Sequence, residues 1–240
     1  MRILAADIGG TSSRFAAFAC STDGRLTLEK SEWFRTTETS SFDGLLQKVG
    51  ASGLPWTHED ADVVAIAAAG PVRAGIYCDP PHIEWDIDLS DARARFGIRR
   101  FTLMNDFVAQ AYATQTDVGR NADVILPGEL SNPDFARQTE TTVGVIGAGT
   151  NLGKALLVRR HSRYIPVASE GGHGSFPLEF PEEAPFLEMV RSELGSVYVT
   201  NEQVVAGHGI SYVHQFLTGE RLAPEEVTGR CGADSETFRW

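Results

Sequence analysis

The apolar positions of this chain fall into two repeating patterns. Ile3 to Ile8 reads as a short buried strand, Gly9-Gly10-Thr11 interrupts it, and Ser13 to Ala19 reads as a second strand. Two strands about a Gly-Gly turn predict a hairpin. Phe42, Leu45, Leu46 and Val49 fall at helical spacing. Val63 to Ala69 is a continuous apolar run closed by Gly70-Pro71, the pattern of a buried parallel strand. Ser90 to Phe96 predicts a short helix, Phe101 to Met104 a strand, and Asp106 to Thr114 a helix. Val143 to Ile146 predicts a strand leading into a second glycine turn, and Lys154 to Arg159 leaves that turn extended, with a polar turn after it. Gly119 to Glu140 is rich in Asn, Asp, Gly and Pro and reads mainly as loop. Glu182 to Leu194 predicts a helix with Phe186, Leu187 and Val190 inward. Thr200 and Gln203 form a capping box for the next helix, and Ile210, Val213, Phe216 and Leu217 mark another. Strands alternating with helices predict an α/β fold.

Composition narrows the classes. A chain of 240 residues with 42% hydrophobic and 22% charged residues can bury a sizeable core. The net charge of -11 argues against nucleic acid and against anionic membranes as partners, since both select clustered Lys and Arg. A small anionic ligand is still accommodated, because backbone amides and a metal ion hold it locally. The cysteines, Cys20, Cys78 and Cys231, are sparse, widely spaced and odd in number, which suits a reducing cytosol and offers no zinc cluster. The first residues are too short an apolar run for a signal peptide, and no stretch approaches the ~20 apolar residues of a membrane span. The expected location is cytoplasmic.

Four segments carry candidate chemistry. Asp7 ends a strand ahead of Gly9-Gly10-Thr11, where glycines let amides approach an anion, Thr11 adds a hydroxyl, and Asp7 can orient water on a Mg²⁺ held by nucleotide phosphates. An ordinary hairpin turn explains the same residues equally simply. Gly147-Ala-Gly-Thr-Asn-Leu-Gly153 is not a Walker A loop, since Ala148 stands where the first glycine is required and Ala155 follows Lys154. It is not a dinucleotide fingerprint either, because a strand and not a helix lies between it and Glu170. A strand–glycine turn–strand clasp for phosphate, or a plain hairpin, is what survives. Asn105-Asp106 lies between a strand and a helix, where a carboxylate can take a proton from an attacking hydroxyl, and where Asn and Asp also serve as helix N-caps. Glu170-Gly-Gly-His173 places an acid and an imidazole on one tight turn, able to bond adjacent sugar hydroxyls; a solvated loop is the plain alternative. His173, His208 and His214 lack metal-ligand spacing. Glu202 lies in a first helical turn, where the helix dipole alone favours an acid.

Together these segments resemble the bacterial glucokinase family of the sugar kinase–Hsp70–actin superfamily. Leu4-Ala-Ala-Asp-Ile-Gly-Gly-Thr11 resembles its first phosphate motif and Gly147 to Gly153 its second. Leu103-Met-Asn-Asp-Phe107 resembles its catalytic segment, and Ser169-Glu-Gly-Gly-His173 and Asn201-Glu-Gln-Val-Val205 resemble its sugar-binding segments. The order matches and the similarity spans nearly the whole chain. The resemblance implies a two-domain, actin-like ATPase (ribonuclease H-like) fold with a small α/β domain over 1–107 and a larger, incomplete one over 108–240, with sugar bound in the cleft between them. It implies ATP-dependent phosphorylation of glucose at the 6-hydroxyl, with ATP and Mg²⁺ as cofactors. Asp106 would be the general base; Asn105, Glu170, His173 and Glu202 would contact glucose; Gly9, Gly10, Thr11, Gly149 and Thr150 would hold phosphates; Asp7 would reach Mg²⁺ through water. The partners are a sugar and a nucleotide, and a homodimer is compatible with the family.

The chain also departs from the family pattern. Asn151 replaces a glycine of the second phosphate motif, His82 stands three residues before Trp85 where the family has Asn, and the cysteine cluster of the zinc-bearing branch is missing. The family continues past the place equivalent to Trp240 with an adenosine-binding glycine motif and a helix returning to the first domain; Ala233 to Trp240 reads as the early turns of a helix. The rival readings are a non-catalytic sugar-binding relative and a kinase for another hexose or an acylated amino sugar.

Overall fold

A computed structural model describes residues 1–81, 83–125, 140–177, 180–232 and 234–239. The strands are β1 (Arg2–Ile8), β2 (Ser12–Cys20), β3 (Leu26–Arg35), β4 (Val63–Ala68), β5 (Val72–Arg73), β6 (Tyr77–Cys78), β7 (Ile87–Asp88), β8 (Phe101–Asn105), β9 (Glu140–Ala148), β10 (Leu152–Arg160) and β11 (Arg163–Ser169). The α-helices are α1 (Phe42–Gly50), α2 (Ala92–Phe96), α3 (Asp106–Ala113), α4 (Asp117–Arg120), α5 (Ala184–Leu194), α6 (Asn201–Val205), α7 (Gly207–Thr218), α8 (Pro224–Arg230) and α9 (Glu236–Arg239). The chain forms two compact units, Met1–Asn121 and Ala122–Trp240. The first includes α3 beyond Phe107, because that helix packs back on β4 and β8.

The first unit is built on a five-stranded sheet of order β3-β2-β1-β4-β8. β1, β2 and β3 are antiparallel, whereas β1, β4 and β8 run parallel. Alternate residues of β1, Leu4, Ala6 and Ile8, are buried, as are Val64, Ile66 and Ala68 of β4. The apolar run of β4 is thus parallel as expected, but only one face is fully covered. Against that face lie Phe42, Leu45, Leu46 and Val49 of α1, all buried. Fully burying a side chain of this size contributes about 1.5–3 kcal/mol. Ser41 caps α1 by accepting from Gly44 N–H at 3.0 Å. Trp85 joins the same core, its ring centroid 6.3 Å from that of Phe42 at a tilt of 38°, and donates Nε1–H to Thr39 O at 2.9 Å. His82 lies outside the described residues.

In the second unit, β11-β10-β9 form an antiparallel sheet, with helices α5 to α9 following. Phe186, Leu187 and Val190 of α5 are buried as the spacing predicts, with Val199 and Tyr212 beside them. The polar turn expected after Arg159 is confined to His161 and Ser162, and β11 follows it. On α7 the fully buried residues are Gly209, Ser211, Tyr212 and His214, while the apolar positions that marked the helix are half-buried. Most of the loop expected over 119–140 lies outside the described residues, apart from the last residues of α4, the turn after it and the first residue of β9.

Candidate functional site

In the first unit the first glycine turn closes the β1–β2 hairpin, which pairs down to Ile8 opposite Ser13. Gly9 N–H donates to Ser12 O at 3.1 Å, and Thr36 N–H to Thr11 O at 3.1 Å. The buried Ser13 and Thr36 hydroxyls bond one another at 2.7 Å beneath the turn. Among the described residues the Gly10 and Thr11 amides donate to no protein acceptor. Two unpaired amides on a clamped turn suit an anion.

Asp7, Ala67 and Met104 stand in one register line across β1, β4 and β8, and Asp106 follows two residues beyond it. Asp7 and Asp106 therefore share the carboxyl ends of the parallel strands, where ligands of α/β sheets gather. Desolvation raises the Asp7 carboxyl above its ordinary value, and the Arg14 charge partly offsets it. Desolvation also raises Asp106; the Phe107 amide opposes this, and the Asp7 charge adds to it. Two carboxylates so placed fit a cation between themselves and a polyphosphate, with Asp7 nearer the anion-binding turn. Among the described residues no group of three or more His, Cys, Asp and Glu is placed to hold a metal ion.

The cap and the candidate base are neighbours. Asn105 is the N-cap of α3: its Oδ1 accepts from Phe107 and Val108 N–H at 2.9 and 3.3 Å. Its Nδ2 donates to Gly70 O at 3.1 Å, which ties the strand end to the Gly70-Pro71 turn, and its side chain also hydrogen-bonds the Asp106 carboxyl. Asp106 occupies the first helical position and accepts from Phe107 N–H through Oδ1 at 2.9 Å. Cys78, within the electrostatic reach of Asp106, is buried, its thiol pushed up to about 11 chiefly by desolvation.

In the second unit the second glycine turn joins β9 to β10, paired to Ala148 opposite Leu152. It is the strand–turn–strand hairpin expected. Asn151 keeps a negative φ, so the turn does not use the left-handed conformation that Asn tolerates. Gly149 N–H donates to Asn151 O at 2.9 Å, and Gly149 O accepts from Gly207 N–H at 2.9 Å. Thr150 is exposed at the tip.

Glu170, His173 and Glu202 come together in this unit. His173 Nδ1 lies 3.2 Å from Glu202 Oε1 and its Nε2 lies 3.7 Å from Glu170 Oε2. Gly171–His173 is a single 3-10 turn. A Cβ on Gly172 would lie 2.3 Å from Leu152 O, so only glycine allows this turn against β10. Thr200 caps α6 in the expected box with Gln203, placing Glu202 in the first turn. Two positioning residues carried no separate signal in the sequence. Asn201 Nδ2 donates to Gly171 O and Gly174 O at 3.3 and 3.0 Å, and Lys154 Nζ donates to Gly171 O at 3.3 Å. Asn201 opens the Asn-Glu-Gln-Val-Val segment, but its role as a clamp needed the contact to be seen.

Comparison with known proteins identifies the family. The chain matches the profile of the family described as Glucokinase over residues 4–235. It is 33% identical over 240 residues to the glucokinase of Xanthomonas oryzae pv. oryzae (strain MAFF 311018), covering 96% of this chain and 68% of the relative. It is 34% identical over 248 residues to the glucokinase of Stenotrophomonas maltophilia (strain K279a), covering 95% of this chain and 67% of the relative. Among solved structures, a glucokinase from an Antarctic psychrotroph superposes with a TM-score of 0.71 at 27% identity, covering 96% of this chain and 71% of that one. The Balamuthia mandrillaris glucokinase, solved in complex with glucose, gives 0.69 at 18% identity over 100% of this chain and 66% of that one, which speaks for the fold alone. The expected actin-like sugar kinase fold is the one found, and with the family profile matched along nearly its whole length, this chain belongs to the glucokinase family.

Proposed function

We propose that this chain transfers the γ-phosphoryl group of Mg·ATP to the 6-hydroxyl of glucose, the entry step of glycolysis, in the cytoplasm. The observation that carries it is Asp106, a desolvated carboxyl with a raised pKa at the carboxyl end of β8, on the same sheet edge as a glycine turn with two unpaired amides. A base tuned upward towards neutrality removes a hydroxyl proton more effectively than an ordinary carboxylate.

Asp106 accepts the proton of the 6-hydroxyl as the oxygen–phosphorus bond forms and the bond to the bridging oxygen of the nucleotide breaks. Asn105, Glu170, His173 and Glu202 bond the sugar hydroxyls and fix which of them reaches Asp106. Gly9, Gly10, Thr11, Gly149 and Thr150 hold the phosphates, their amides aimed at charge that develops in transfer. Asp7 would hold magnesium through water. When bound, magnesium supplies charge neutralisation on the β- and γ-phosphates.

A coupled assay of ADP release over a panel of hexoses and nucleotides tests this. Glucose with ATP is the expected best pair. A clear preference for an acylated amino sugar, or no ADP release with any sugar that calorimetry shows to bind, overturns it.

A further inference from the structure

Arg14 stands in the middle of a row of three directly opposed residues. Asp7 of β1 pairs with Arg14 of β2, and Arg14 pairs with Trp33 of β3. Directly opposed residues of antiparallel strands project from the same face of the sheet. The Arg14 guanidinium lies over the Trp33 ring, with Cζ 5.2 Å from the centroid, and Nη2 donates to Ser31 Oγ at 3.3 Å. A cation over an indole face is held electrostatically as well as by contact. Trp33 is 64% exposed, so its ring contributes little as core and much as a platform.

Charge gives the row its purpose. The sheet edge that carries the first phosphate turn also carries Asp7 and Asp106, and the Asp7 charge is felt at Asp106. A polyphosphate arriving there meets two carboxylates on a chain of net charge -11. Among the described residues, Arg14 is the side-chain cation whose field reaches Asp7. We propose that Arg14, held on Trp33, is a positioning residue of the first phosphate turn: it balances the Asp7 carboxylate and allows the Gly10 and Thr11 amides to take a magnesium polyphosphate. Trp33 acts through Arg14, and Arg14 through Asp7 and the field at the turn. The inference rests on the kinase reading above.

Calorimetric titration of the chain with Mg·ATP, with Mg·tripolyphosphate and with glucose tests it. The variants are Arg14→Lys, Arg14→Gln, Arg14→Glu and Trp33→Leu, with thermal midpoints recorded for each. Tripolyphosphate asks nothing of an adenosine pocket, so it reports on phosphate contacts alone. The expected result is that Arg14→Gln weakens both polyphosphates about three- to fivefold, that Arg14→Glu weakens them further, and that Arg14→Lys stays within about twofold of the parent chain. Trp33→Leu falls between Lys and Gln, and glucose affinity holds throughout. Equal polyphosphate affinity across the Gln and Glu variants, or a Lys variant as weak as Gln, overturns the proposal. So does a common fall in thermal midpoint and glucose affinity, which assigns Arg14 to packing of the hairpin. If the parent chain binds glucose but neither polyphosphate, the kinase reading itself fails; if it binds both and the variants bind them equally, this proposal alone fails.

Discussion

Asp106 combines a cost with a use. Burial raises its carboxyl, and the nearby Asp7 charge adds to the effect. The folded chain therefore holds the Asp106 proton to higher pH than the unfolded chain does. Ionisation costs the fold stability as pH rises through that window, and the cost persists above it. Asp106→Asn removes it while keeping an Oδ1 acceptor for Phe107 N–H. We predict that Asp106→Asn raises the thermal midpoint at pH 7, that the gain vanishes below the ordinary Asp value of about 3.9, and that phosphoryl transfer falls by about 10²–10⁴-fold. Differential scanning calorimetry across pH, beside a rate measurement, checks both halves. A loss of transfer below about tenfold would leave Asp106 as only a helix-terminal acid.

The Glu170–His173–Glu202 cluster belongs to the same scale. One His173 ring nitrogen lies 3.2 Å from Glu202 and the other 3.7 Å from Glu170. We expect Glu170→Gln and His173→Ala each to weaken glucose binding by about 1–3 kcal/mol, since a polar group desolvated by the sugar would lose its partner. Mg·tripolyphosphate affinity should stay near that of the parent chain. Unchanged glucose affinity in calorimetry returns the turn to an ordinary solvated loop. At this scale the residue types were legible but their division of labour was not. Asn105-Asp106 reads equally as a cap and as a base in the sequence; the structure gives the cap to Asn105 and leaves Asp106 at the first turn. Trp85, three residues after His82, is a core residue packed on Phe42.

Among the elements, those with a buried face were readable and those without one were not. α1 and α5 show four and three buried residues at helical spacing, and both glycine hairpins announce themselves by their turns. β3, Leu-Thr-Leu-Glu-Lys-Ser-Glu-Trp-Phe-Arg, lies at the edge of its sheet with most residues exposed, so no alternation of apolar and polar positions marks it. β11 is an edge strand of the same kind. Backbone pairing, which a side-chain pattern cannot report, creates both. Close approach of backbone is hidden in the same way. Gly172 reads as a flexible turn residue, yet its reason is the Leu152 carbonyl 2.3 Å from where a Cβ would sit. Gly172→Ala should therefore cost about 1–3 kcal/mol by overpacking and displace Glu170 and His173, reducing glucose affinity. Denaturant unfolding together with glucose titration checks this, and a variant with parental values in both would show that the turn tolerates a side chain.

For the whole molecule, the legible signal was the order of motifs along the chain. Each glycine turn alone fits a plain hairpin, and in the structure each is a hairpin as well as a candidate phosphate clasp. What separates the readings is company: an unpaired pair of amides, a raised carboxyl on the same sheet edge, and an acid–imidazole–acid cluster in the second unit. Family membership rests on the profile match over residues 4–235. The relatives named above are longer, and this chain spans about two thirds of their length.

The central claim is that phosphate moves from nucleotide to the glucose 6-hydroxyl with Asp106 as the base. Single-turnover phosphorus NMR tests it most directly, using protein purified from a host without its own glucokinase, glucose, and a large excess of Mg·ATP, with Asp106→Asn alongside. A new phosphate-monoester signal coupled to the C6 protons of glucose, absent from the variant over the same interval, is the predicted result. Glucose bound but unphosphorylated in the parent protein, or an equal signal from the variant, would contradict it.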